Sequence, residues 1–534
     1  MRVTSVLLGD EAVALGAVHA GISGVYGYPG TPSTEIFEAV HNFEKKSGVH
    51  AVWSTNEKVG YEEALGMSFA GKRSMVTMKH VGLNVAADPF MNSAITGVNG
   101  GLVLAVADDP GMHSSQNEQD SRYFAHFAMI PVLEPGNQQE AYDMTMLALQ
   151  LSEELNVPVM LRLVTRLAHS RANVQVFDKP LEQNKLNPSD DWRKWTLLPV
   201  NARRNYLELT KAQEKFRKKS EESEYNTLTL VSGVKKGIIV AGIATNYLFE
   251  NIPADTNEFS ILIIKQYPVP AGKLRELVDS VDEILVIEEG YPYIEEHLNG
   301  FLGLRDKKVR GKLSGDLPRT GELNPDNVRK ALGMELFDSL DQSQNLAMRP
   351  PQLCQGCPHA DTYGALNEAM KYFPDGHVFS DIGCYTLGAL PPYTAIESCV
   401  DMGASISMAS GAAHAGIRPS VAVIGDSTFT HSGMTPLLDA AHENTPITVF
   451  ILDNSTVAMT GGQPTFGSGE GLLRIIRGFD IPDGHLLAIN PLPKDHAKNV
   501  EMIKRELEYD GLSVIVAQRI CVEEIKRLRK KKAD

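Results

Sequence analysis

Short apolar runs rich in β-branched residues alternate with helix-like patterns along most of this 534-residue chain. In the first third of the chain these runs lie at 24–28, 74–78, 101–107 and 157–163. Further runs lie at 237–241, 261–264, 283–287, 421–424, 448–452 and 513–517. Continuously apolar strands separated by helices are typical of parallel sheets that helices cover on both faces. The pattern therefore predicts an α/β protein built from parallel sheets.

Two polar segments interrupt this pattern and divide the chain into three predicted α/β domains. Residues 181–232 are rich in Asn, Asp, Lys and Glu and include a charged helical stretch at 206–225, so we interpret them as a linker. Residues 326–350 are polar as well and form the second predicted linker. The predicted domains are 1–180, 233–325 and 351–534. The third is expected to contain a Gly- and Ala-rich helix at 403–415.

The composition excludes several classes of protein. With 43% hydrophobic residues the chain can form packed cores, which excludes a disordered or fibrous protein. The 51 basic and 66 acidic residues give a net charge of -15, which repels a phosphate backbone, so no nucleic-acid partner is expected. No apolar run is long enough to span a membrane, and Asp10 and Glu11 interrupt the start where a signal peptide needs apolar residues. These features and the low count of five cysteines predict a cytoplasmic protein.

Polar residues follow two predicted strands of the third domain. They are Gly425, Asp426 and Ser427 after one strand, and Asp453, Asn454, Ser455 and Thr456 after the next. Because parallel strands end at one edge of a sheet, Asp426 and Asn454 can converge on one cation. With the backbone carbonyl of Thr456 they offer the oxygen ligands that Mg²⁺ prefers, and a diphosphate could share the ion. Glycines 425, 461 and 462 would let the backbone approach the phosphates. The alternative is an ordinary turn with Asn454 as a helix cap.

The segment resembles the metal-diphosphate motif of thiamine-diphosphate enzymes, in which Gly-Asp-Gly is followed by a more distant Asn. Ser427 departs from the third glycine of that motif. Further blocks of the chain narrow the resemblance. They are Tyr-Pro-Gly-Thr-Pro-Ser at 28–33, Trp-Ser-Thr-Asn-Glu at 53–57, Lys-His-Val-Gly-Leu-Asn at 79–84, Ser-Ser-Gln-Asn-Glu-Gln-Asp-Ser-Arg at 114–122, and Leu-Asp-Asn at 452–454 through Thr-Gly-Gly-Gln at 460–463. Over nearly its whole length the chain resembles 2-oxoacid:ferredoxin oxidoreductases, and among them the alpha subunits of the indolepyruvate type.

The resemblance implies a role for each predicted domain. Residues 1–180 would bind the thiamine pyrimidine, residues 351–534 would bind the diphosphate and Mg²⁺, and residues 233–325 would form a domain like the C-terminal one of transketolase. Glu57 matches the family's glutamate that holds the pyrimidine N1′ and activates the cofactor, whereas Glu62 and Glu63 fit that pattern less well. The alternative for Glu57 is an acid favoured by a helix dipole.

Further cofactor contacts follow from the same resemblance. Met402 matches the bulky residue that bends the cofactor, although a methionine here could equally pack in the core. The implied cofactor-binding residues are Glu57, Gly383, Met402, Gly425, Asp426, Ser427, Asn454, Thr456 and Gly461, and the implied Mg²⁺ ligands are Asp426, Asn454 and Thr456.

Two residues are expected to contact the substrate. By resemblance, Thr31 would hydrogen-bond the 2-oxoacid and Arg122 would offer its guanidinium to the substrate carboxylate. The alternative for Arg122 is a surface ion pair with Glu118 four residues earlier. His80 and His113 are more simply structural, because a lone histidine is more often a satisfied structural residue than a catalytic one.

The cysteines all lie in the last third of the chain. Cys354, Cys357, Cys384 and Cys521 follow the order of the family's cluster ligands, so the resemblance implies a [4Fe-4S] cluster. Four thiolates could also bind zinc, and unrelated buried cysteines are a further alternative. Cys399 is expected to lie in the core.

The resemblance implies oxidative decarboxylation of aryl 2-oxoacids, such as indolepyruvate, to the arylacetyl-coenzyme A and CO₂. Electrons would pass through the cluster to ferredoxin or another carrier, and a smaller beta subunit would complete the enzyme. Coenzyme A is carried over from the family alone. The family usually adds a C-terminal ferredoxin-like domain with two cysteine-rich runs, which this sequence does not contain, so an external acceptor is expected unless the redox half-reaction is lost. The alternatives are a non-oxidative decarboxylase or lyase and an inactive scaffold subunit.

One apolar segment bears on substrate choice. By resemblance, pyruvate-specific relatives have Asn where this chain has Met459, in the apolar run 457–459. A thioether in place of an amide favours a large flat side chain over a small polar one. Aryl pyruvates are therefore the expected substrates, unless Met459 packs into the core and the partner subunit sets selectivity.

Overall fold

The computed structural model describes residues 2–189, 191, 193–336 and 351–531 of the chain. The chain divides into two compact units, Met1–Leu340 and Asp341–Asp534. The division falls in the second predicted linker, 326–350, whose residues 337–350 lie outside the described part of the chain. The finer division into three domains stays a prediction.

The first unit contains two larger sheets and one small one. Its strands are β1 (Arg2–Leu8), β2 (Gly24–Gly27), β3 (His50–Trp53), β4 (Ser74–Lys79), β5 (Leu102–Asp108), β6 (Val132–Leu133), β7 (Val159–Val164), β8 (Arg171–Phe177), β9 (Thr227–Thr229), β10 (Lys236–Ala241), β11 (Ser260–Ile264), β12 (Gln266–Tyr267), β13 (Glu283–Ile287) and β14 (Lys308–Arg310). Its helices are α1 (Gly9–His19), α2 (Thr34–Ser47), α3 (Glu57–Phe69), α4 (His80–Val85), α5 (Ala87–Thr96), α6 (Ser121–Ala128), α7 (Gln138–Leu155), α8 (Thr165–His169), α9 (Pro199–Glu221), α10 (Ala244–Phe249), α11 (Ala271–Ser280), α12 (Tyr293–Asn299) and α13 (Pro325–Ala331).

The largest sheet has seven strands in the order β12-β6-β7-β5-β4-β2-β3. Six of them run parallel, and β12 pairs antiparallel with β6 at the edge. Strands β4, β5 and β7 are buried along their whole length. This explains their continuously apolar sequences, because helices cover both faces of a parallel sheet.

The second sheet of this unit has the order β14-β13-β10-β11-β9, with β9 antiparallel and the others parallel. The segment 181–232, interpreted from sequence as a linker, contains the 23-residue helix α9 and the edge strand β9. Leu209 and Phe216 of α9 are buried, so this helix packs on the unit although most of its residues are polar.

The second unit is built on one fully parallel sheet. Its strands are β15 (His377–Ser380), β16 (Ser420–Gly425), β17 (Ile447–Asp453), β18 (Leu486–Ile489) and β19 (Ser513–Gln518), in the order β15-β16-β17-β19-β18. Its helices are α14 (Pro358–Met370), α15 (Ala404–His414), α16 (Asp426–Thr428), α17 (Met434–His442), α18 (Gly469–Ile476), α19 (His496–Leu507) and α20 (Val522–Lys531). Alternate residues of β16 and β17 belong to two separate apolar clusters, one on each face.

The prediction of parallel α/β sheets is confirmed, since the three larger sheets are wholly or mostly parallel. In the described part of the chain, no helix combines the length and apolar character that crossing a membrane requires.

Candidate functional site

The motif residues of the second unit lie at the carboxyl ends of two adjacent strands. Strands β16 and β17 pair in parallel register, with Gly425 opposite Leu452, so Asp426 and Asn454 follow at the same sheet edge. The backbone NH of Ser455 donates to Asp426 Oδ2 at 2.9 Å. The carboxylate from the first strand thus reaches the residue next to Asn454, which brings together the groups that the sequence pattern predicted to converge.

Asp426 carries a buried carboxylate without a cationic partner among its described contacts. Its side chain is 3% exposed and accepts hydrogen bonds from the backbone NH groups of Ser427 and Ser455. Burial and then the nearby Asp453 carboxylate raise the pKa of Asp426 well above its ordinary range. A divalent cation at this position would remove that electrostatic cost.

Asn454 is oriented by a histidine that the sequence analysis did not consider. Burial, and to a lesser extent the Arg519 charge, lowers the pKa of His359 to about 4, so its ring is neutral near pH 7. Asn454 Nδ2 lies 3.1 Å from His359 Nε2, which can then accept the hydrogen bond. Asn454 Oδ1 accepts from the NH of Thr456 at 3.2 Å and keeps a second lone pair for an ion.

The residues around Asp426 fit a diphosphate. Ser427 Oγ is buried and has no hydrogen-bond partner among the described residues, so this hydroxyl can donate to a ligand bound at the same sheet edge. A Cβ on Gly425 would lie 2.6 Å from the Tyr385 ring, and one on Gly383 would lie 2.3 Å from the same ring. Gly461 has φ 120°, which disfavours a side chain. The predicted cofactor glycines are therefore needed for close packing and backbone conformation, whatever they contact.

Asp381 is a further buried acid at this sheet, and the sequence analysis missed it. It follows β15, accepts a hydrogen bond from Tyr385 Oη and another from Ser405 Oγ at 2.6 Å. Burial raises the pKa of Asp381 to about 6 against the opposing effect of these hydrogen bonds. Asp381 thereby holds the Tyr385 ring against Gly383 and Gly425. Its place directly after an apolar strand was the available sequence signal.

The four predicted cluster cysteines influence one another electrostatically. Burial raises the pKa of the Cys384 thiol to about 12, and Cys521, Cys357 and Cys354 add to the effect in that order. Cys399 is not among the main causes of this pKa shift. The expectation that Cys399 lies in the core is wrong, because its side chain is exposed.

In the first unit, Glu57 begins α3 and is 5% exposed. The Asn56 side chain caps this helix by accepting from the NH of Val59 at 2.9 Å. A Cβ on Gly82 would lie 2.6 Å from Glu57 Oε1, so the absence of a side chain at residue 82 makes room for this carboxylate. Burial at a helix start is compatible with a functional acid and with the alternative of a dipole-stabilised one.

The loop after β2 carries Thr31 and meets the 114–122 block. Ser114 Oγ donates to the Thr31 carbonyl at 2.9 Å. Lys79, at the end of β4, lies beside the same loop, since a Cβ on Gly30 would be 3.1 Å from its Cδ. Burial lowers the pKa of Lys79 to about 8, although the Asp109 and Glu57 carboxylates oppose the shift. Sequence reasoning did not single out Lys79, and a lysine ending an apolar strand was the signal.

Arg122 lies in a buried network of charges. It is 1% exposed and pairs with Asp120 at 2.5 Å and with Glu288 at 3.0 Å. Its remaining donors reach the Tyr267 hydroxyl and the carbonyls of residues 289 and 291. The alternative of a surface ion pair with Glu118 is wrong, because Arg122 is not at the surface. A role on substrate stays a prediction, and one that the full set of protein partners does not favour.

The two predicted methionines differ in exposure. Met402 is half-buried directly before Gly403, whose φ of 94° precedes α15. Met459 is 55% exposed in a short turn at Ala458–Thr460. The alternative that Met459 packs into the core is therefore wrong. Its side chain is available to a ligand or to a partner chain.

Comparisons with known proteins place the chain in a family. The description "Pyruvate flavodoxin/ferredoxin oxidoreductase, thiamine diP-bdg" belongs to a family model that matches residues 15–231. A second model, "Thiamine pyrophosphate enzyme, C-terminal TPP binding domain", matches residues 381–482. The chain is similar in fold to the 2-oxoglutarate:ferredoxin oxidoreductase from Magnetococcus marinus, with a TM-score of 0.52 and 17% identity over 62% of this chain and 65% of that one.

Full-length relatives agree. The chain is 37% identical to indolepyruvate oxidoreductase subunit IorA from Methanothermobacter thermautotrophicus, over 97% of this chain and 86% of that protein. It is also 37% identical to subunit IorA from Archaeoglobus fulgidus, over 96% of this chain and 86% of that protein. The resemblance that the sequence blocks indicated is thereby confirmed, and the chain belongs to the indolepyruvate oxidoreductase subunit IorA family of thiamine-diphosphate-dependent 2-oxoacid:ferredoxin oxidoreductases.

Proposed function

We propose that this chain is the thiamine-binding subunit of an enzyme that oxidatively decarboxylates aryl 2-oxoacids to arylacetyl-coenzyme A and CO₂. The observation that carries the proposal is the buried Asp426 carboxylate beside Asn454 at one sheet edge, in a chain with IorA relatives. Thiamine diphosphate, when bound, supplies the carbanion chemistry that decarboxylation requires.

The second unit would bind the diphosphate through Mg²⁺. Asp426, Asn454 Oδ1 and the Thr456 carbonyl are the proposed ligands of the ion, which prefers oxygen donors and commonly shares them with phosphates. Ser427 Oγ would donate to the diphosphate, since it lacks another partner among the described residues. His359 would act as a positioning residue. By accepting a hydrogen bond from Asn454 Nδ2, it would fix the orientation of the amide and leave Asn454 Oδ1 directed toward the ion.

The first unit would supply the acid that activates the cofactor and the groups that bind substrate. Glu57 would hold the pyrimidine N1′ and so assist proton removal from C2. Thr31 would hydrogen-bond the 2-oxoacid, and the Lys79 ammonium beside its loop would attract the substrate's carboxylate. Arg122 would act on the site through its ion pairs with Asp120 and Glu288 rather than by contact.

Cys354, Cys357, Cys384 and Cys521 would bind a [4Fe-4S] cluster. A single tetrahedral zinc ion needs its four sulfurs roughly 3.8 Å apart, given zinc–sulfur bonds of about 2.3 Å. The thiols of Cys521, Cys357 and Cys354 each raise the pKa of Cys384, which supports the proposal that the four act as one ligand set. A cluster carries its ligands on a larger frame than one ion does, and the cysteine order of the family favours the cluster over zinc.

The proposed substrates, co-substrate and partners rest on the relatives. IorA is named as a subunit of indolepyruvate oxidoreductase, and the Magnetococcus marinus enzyme was solved with 2-oxoglutarate, coenzyme A and succinyl-CoA bound. A smaller beta subunit and ferredoxin or another external electron carrier are the proposed partners. The apolar thioether of Met459, which stands where pyruvate-specific relatives have an amide, would favour aryl 2-oxoacids over pyruvate.

The test is metal and product analysis of the anaerobically purified complex. Iron and labile sulfide are measured first, and indolepyruvate and phenylpyruvate are then supplied with an electron acceptor, with and without coenzyme A. We expect four iron atoms per cluster and an arylacetyl-coenzyme A product that forms only with coenzyme A. An aldehyde product without iron would identify a non-oxidative decarboxylase, and absence of any product would identify an inactive scaffold.

A further inference from the structure

Three side chains that the proposed reaction does not use meet in the first unit. Asp10 is the second residue of α1, Glu35 is the second residue of α2, and His169 is the last residue of α8. One ligand atom from each lies within 4.8 Å of those from the other two. The start of α1 is held against the end of α8 by the backbone, because the NH of Gly9 donates to the carbonyl of Ser170 at 3.2 Å.

Asp10 is the unusual member of this cluster. It is 0% exposed, and neither of its carboxylate oxygens has a hydrogen-bond partner among the described residues. The charges that act on it most, Glu35 and Glu11, have the same sign as its own. A buried carboxylate in such surroundings is costly unless a cation or a proton compensates it.

We propose that Asp10, Glu35 and His169 form a binding site for a divalent transition-metal ion. Two carboxylates and a neutral imidazole carry a charge that one divalent ion balances. A mixed oxygen and nitrogen donor set suits Zn²⁺, Mn²⁺ or Fe²⁺, whereas Mg²⁺ and Ca²⁺ take oxygen ligands.

The distances are close to those of a bound ion. His169 Nε2 lies 3.6 Å from Glu35 Oε2. Metal bonds of about 2.0–2.2 Å place neighbouring ligand atoms about 3–4 Å apart, so this pair needs little movement. The Asp10 ligand atom lies within 4.8 Å of both.

Two of the three side chains lie partly at the surface of the unit, although the Glu35 Oε2 atom is itself buried. The side chains of Glu35 and His169 are 37% and 36% exposed, whereas Asp10 closes the inner side. Water would complete the coordination on the outer side. The ion would tie the starts of α1 and α2 to the end of α8. Because α2 begins three residues after Thr31, the site would also hold the loop that carries Thr31.

A proton on Asp10 is the competing explanation. Burial, more than the neighbouring carboxylates, raises the pKa of Asp10 well above its ordinary range. A neutral Asp10 needs no ion, and Asp10→Asn, which has the same shape, would then change neither metal content nor stability.

The experiment measures metal binding by the complex of both subunits, saturated with Mg²⁺ and thiamine diphosphate. We compare wild type with Asp10→Asn, Glu35→Gln and the control Asp279→Asn, at an exposed aspartate of α11. Each protein is dialysed against Mn²⁺ or Zn²⁺, and its metal content is measured by inductively coupled plasma mass spectrometry. We expect wild type and Asp279→Asn to bind one equivalent more per chain than Asp10→Asn and Glu35→Gln. The same ions should raise the midpoint temperature of unfolding of wild type and Asp279→Asn, but not that of the two site variants.

Equal stoichiometry in wild type and both site variants would overturn the proposal. If the variants do not fold, crystals of the wild-type complex soaked in Mn²⁺ decide the question by anomalous scattering: a peak among the three side chains supports the site, and its absence there overturns it. The thiamine diphosphate content of each sample reports separately on the proposed function, since none of the three residues is placed in the catalytic machinery.

Discussion

The two units differ in whether their buried charges have partners of the opposite sign. In the first unit, Arg122 and Arg162 are matched by carboxylates at hydrogen-bond distance, such as Asp120 at 2.5 Å from Arg122 and Asp108 at 2.7 Å from Arg162. In the second unit, Asp426 is equally buried but faces Asp453, a charge of the same sign.

The difference separates groups that hold the fold from groups that are prepared for a ligand. Charges that neutralise one another inside the protein stabilise one arrangement of the chain, and removing one partner leaves the other uncompensated. A buried charge whose charged neighbours have the same sign as its own is a candidate for binding an ion or a proton. This criterion supports the proposals that Asp426 binds a ligand and that Arg122 acts through its ion pairs, and it groups Asp10 of the first unit with Asp426.

The largest effect is expected at Asp426. Asp426→Ala should lose Mg²⁺ and thiamine diphosphate together, with cofactor affinity reduced more than about 100-fold, because removing even a partner of a metal ligand can cost 10–100-fold. Calorimetric titration with the cofactor measures this change. Asp439→Asn, at an exposed aspartate of α17, is the matched control. If Asp426→Ala binds thiamine diphosphate as tightly as wild type, Asp426 does not hold the metal ion, and the contrast drawn between the two units fails.

Glu57 should separate binding from activation. Glu57→Gln is expected to retain thiamine diphosphate and to lose turnover by about 10²–10⁴-fold, the usual contribution of a positioned acid or base. Cofactor content and the rate with phenylpyruvate are measured on the same sample. Glu62→Gln, in an exposed ion pair with Lys58, should behave as wild type. A Glu57→Gln enzyme with full turnover would mean that another acid holds N1′.

Arg122 should affect stability before it affects binding. Arg122→Ala leaves Asp120 and Glu288 buried and uncompensated, so the free energy of unfolding should fall by about 3–5 kcal/mol. Arg2→Ala, which breaks the exposed pair with Asp143, should cost about 1 kcal/mol or less. Calorimetric unfolding compares the two. Unchanged unfolding together with a raised KM for the 2-oxoacid would instead place Arg122 on the substrate.

The smallest effect concerns selectivity. Met459→Asn should lower the ratio of kcat/KM for indolepyruvate to that for pyruvate by about 10–200-fold, the range for one apolar contact in a pocket. Leu438→Asn changes a similarly exposed residue, 57% against 55%, and should leave the ratio alone. An equal ratio in wild type and Met459→Asn means that Met459 does not line the substrate pocket.

Several features follow from the sequence alone because their signals are local. Apolar runs predicted the parallel strands, and the runs at 421–424 and 448–452 lie within the observed β16 and β17. The polar residues after each strand predicted the edge where Asp426 and Asn454 lie. The alternative reading of Glu57 placed it at the start of a helix, and in the structure it is the first residue of α3. The motif blocks predicted the family, and the relatives confirm it.

Contacts between distant residues were decided only by the tertiary structure. Arg122 meets Glu288, 166 positions away in the sequence, and no pattern near either residue indicates the other. Helix α9 lies in a segment whose polar composition predicted a linker, since two buried apolar residues suffice to pack it. Cys399 is exposed although it was expected in the core, and Met459 is exposed, against the alternative that it packs in the core. Periodicity reports which face of an element is apolar, but the charges and cavities that a side chain meets depend on how all the elements pack.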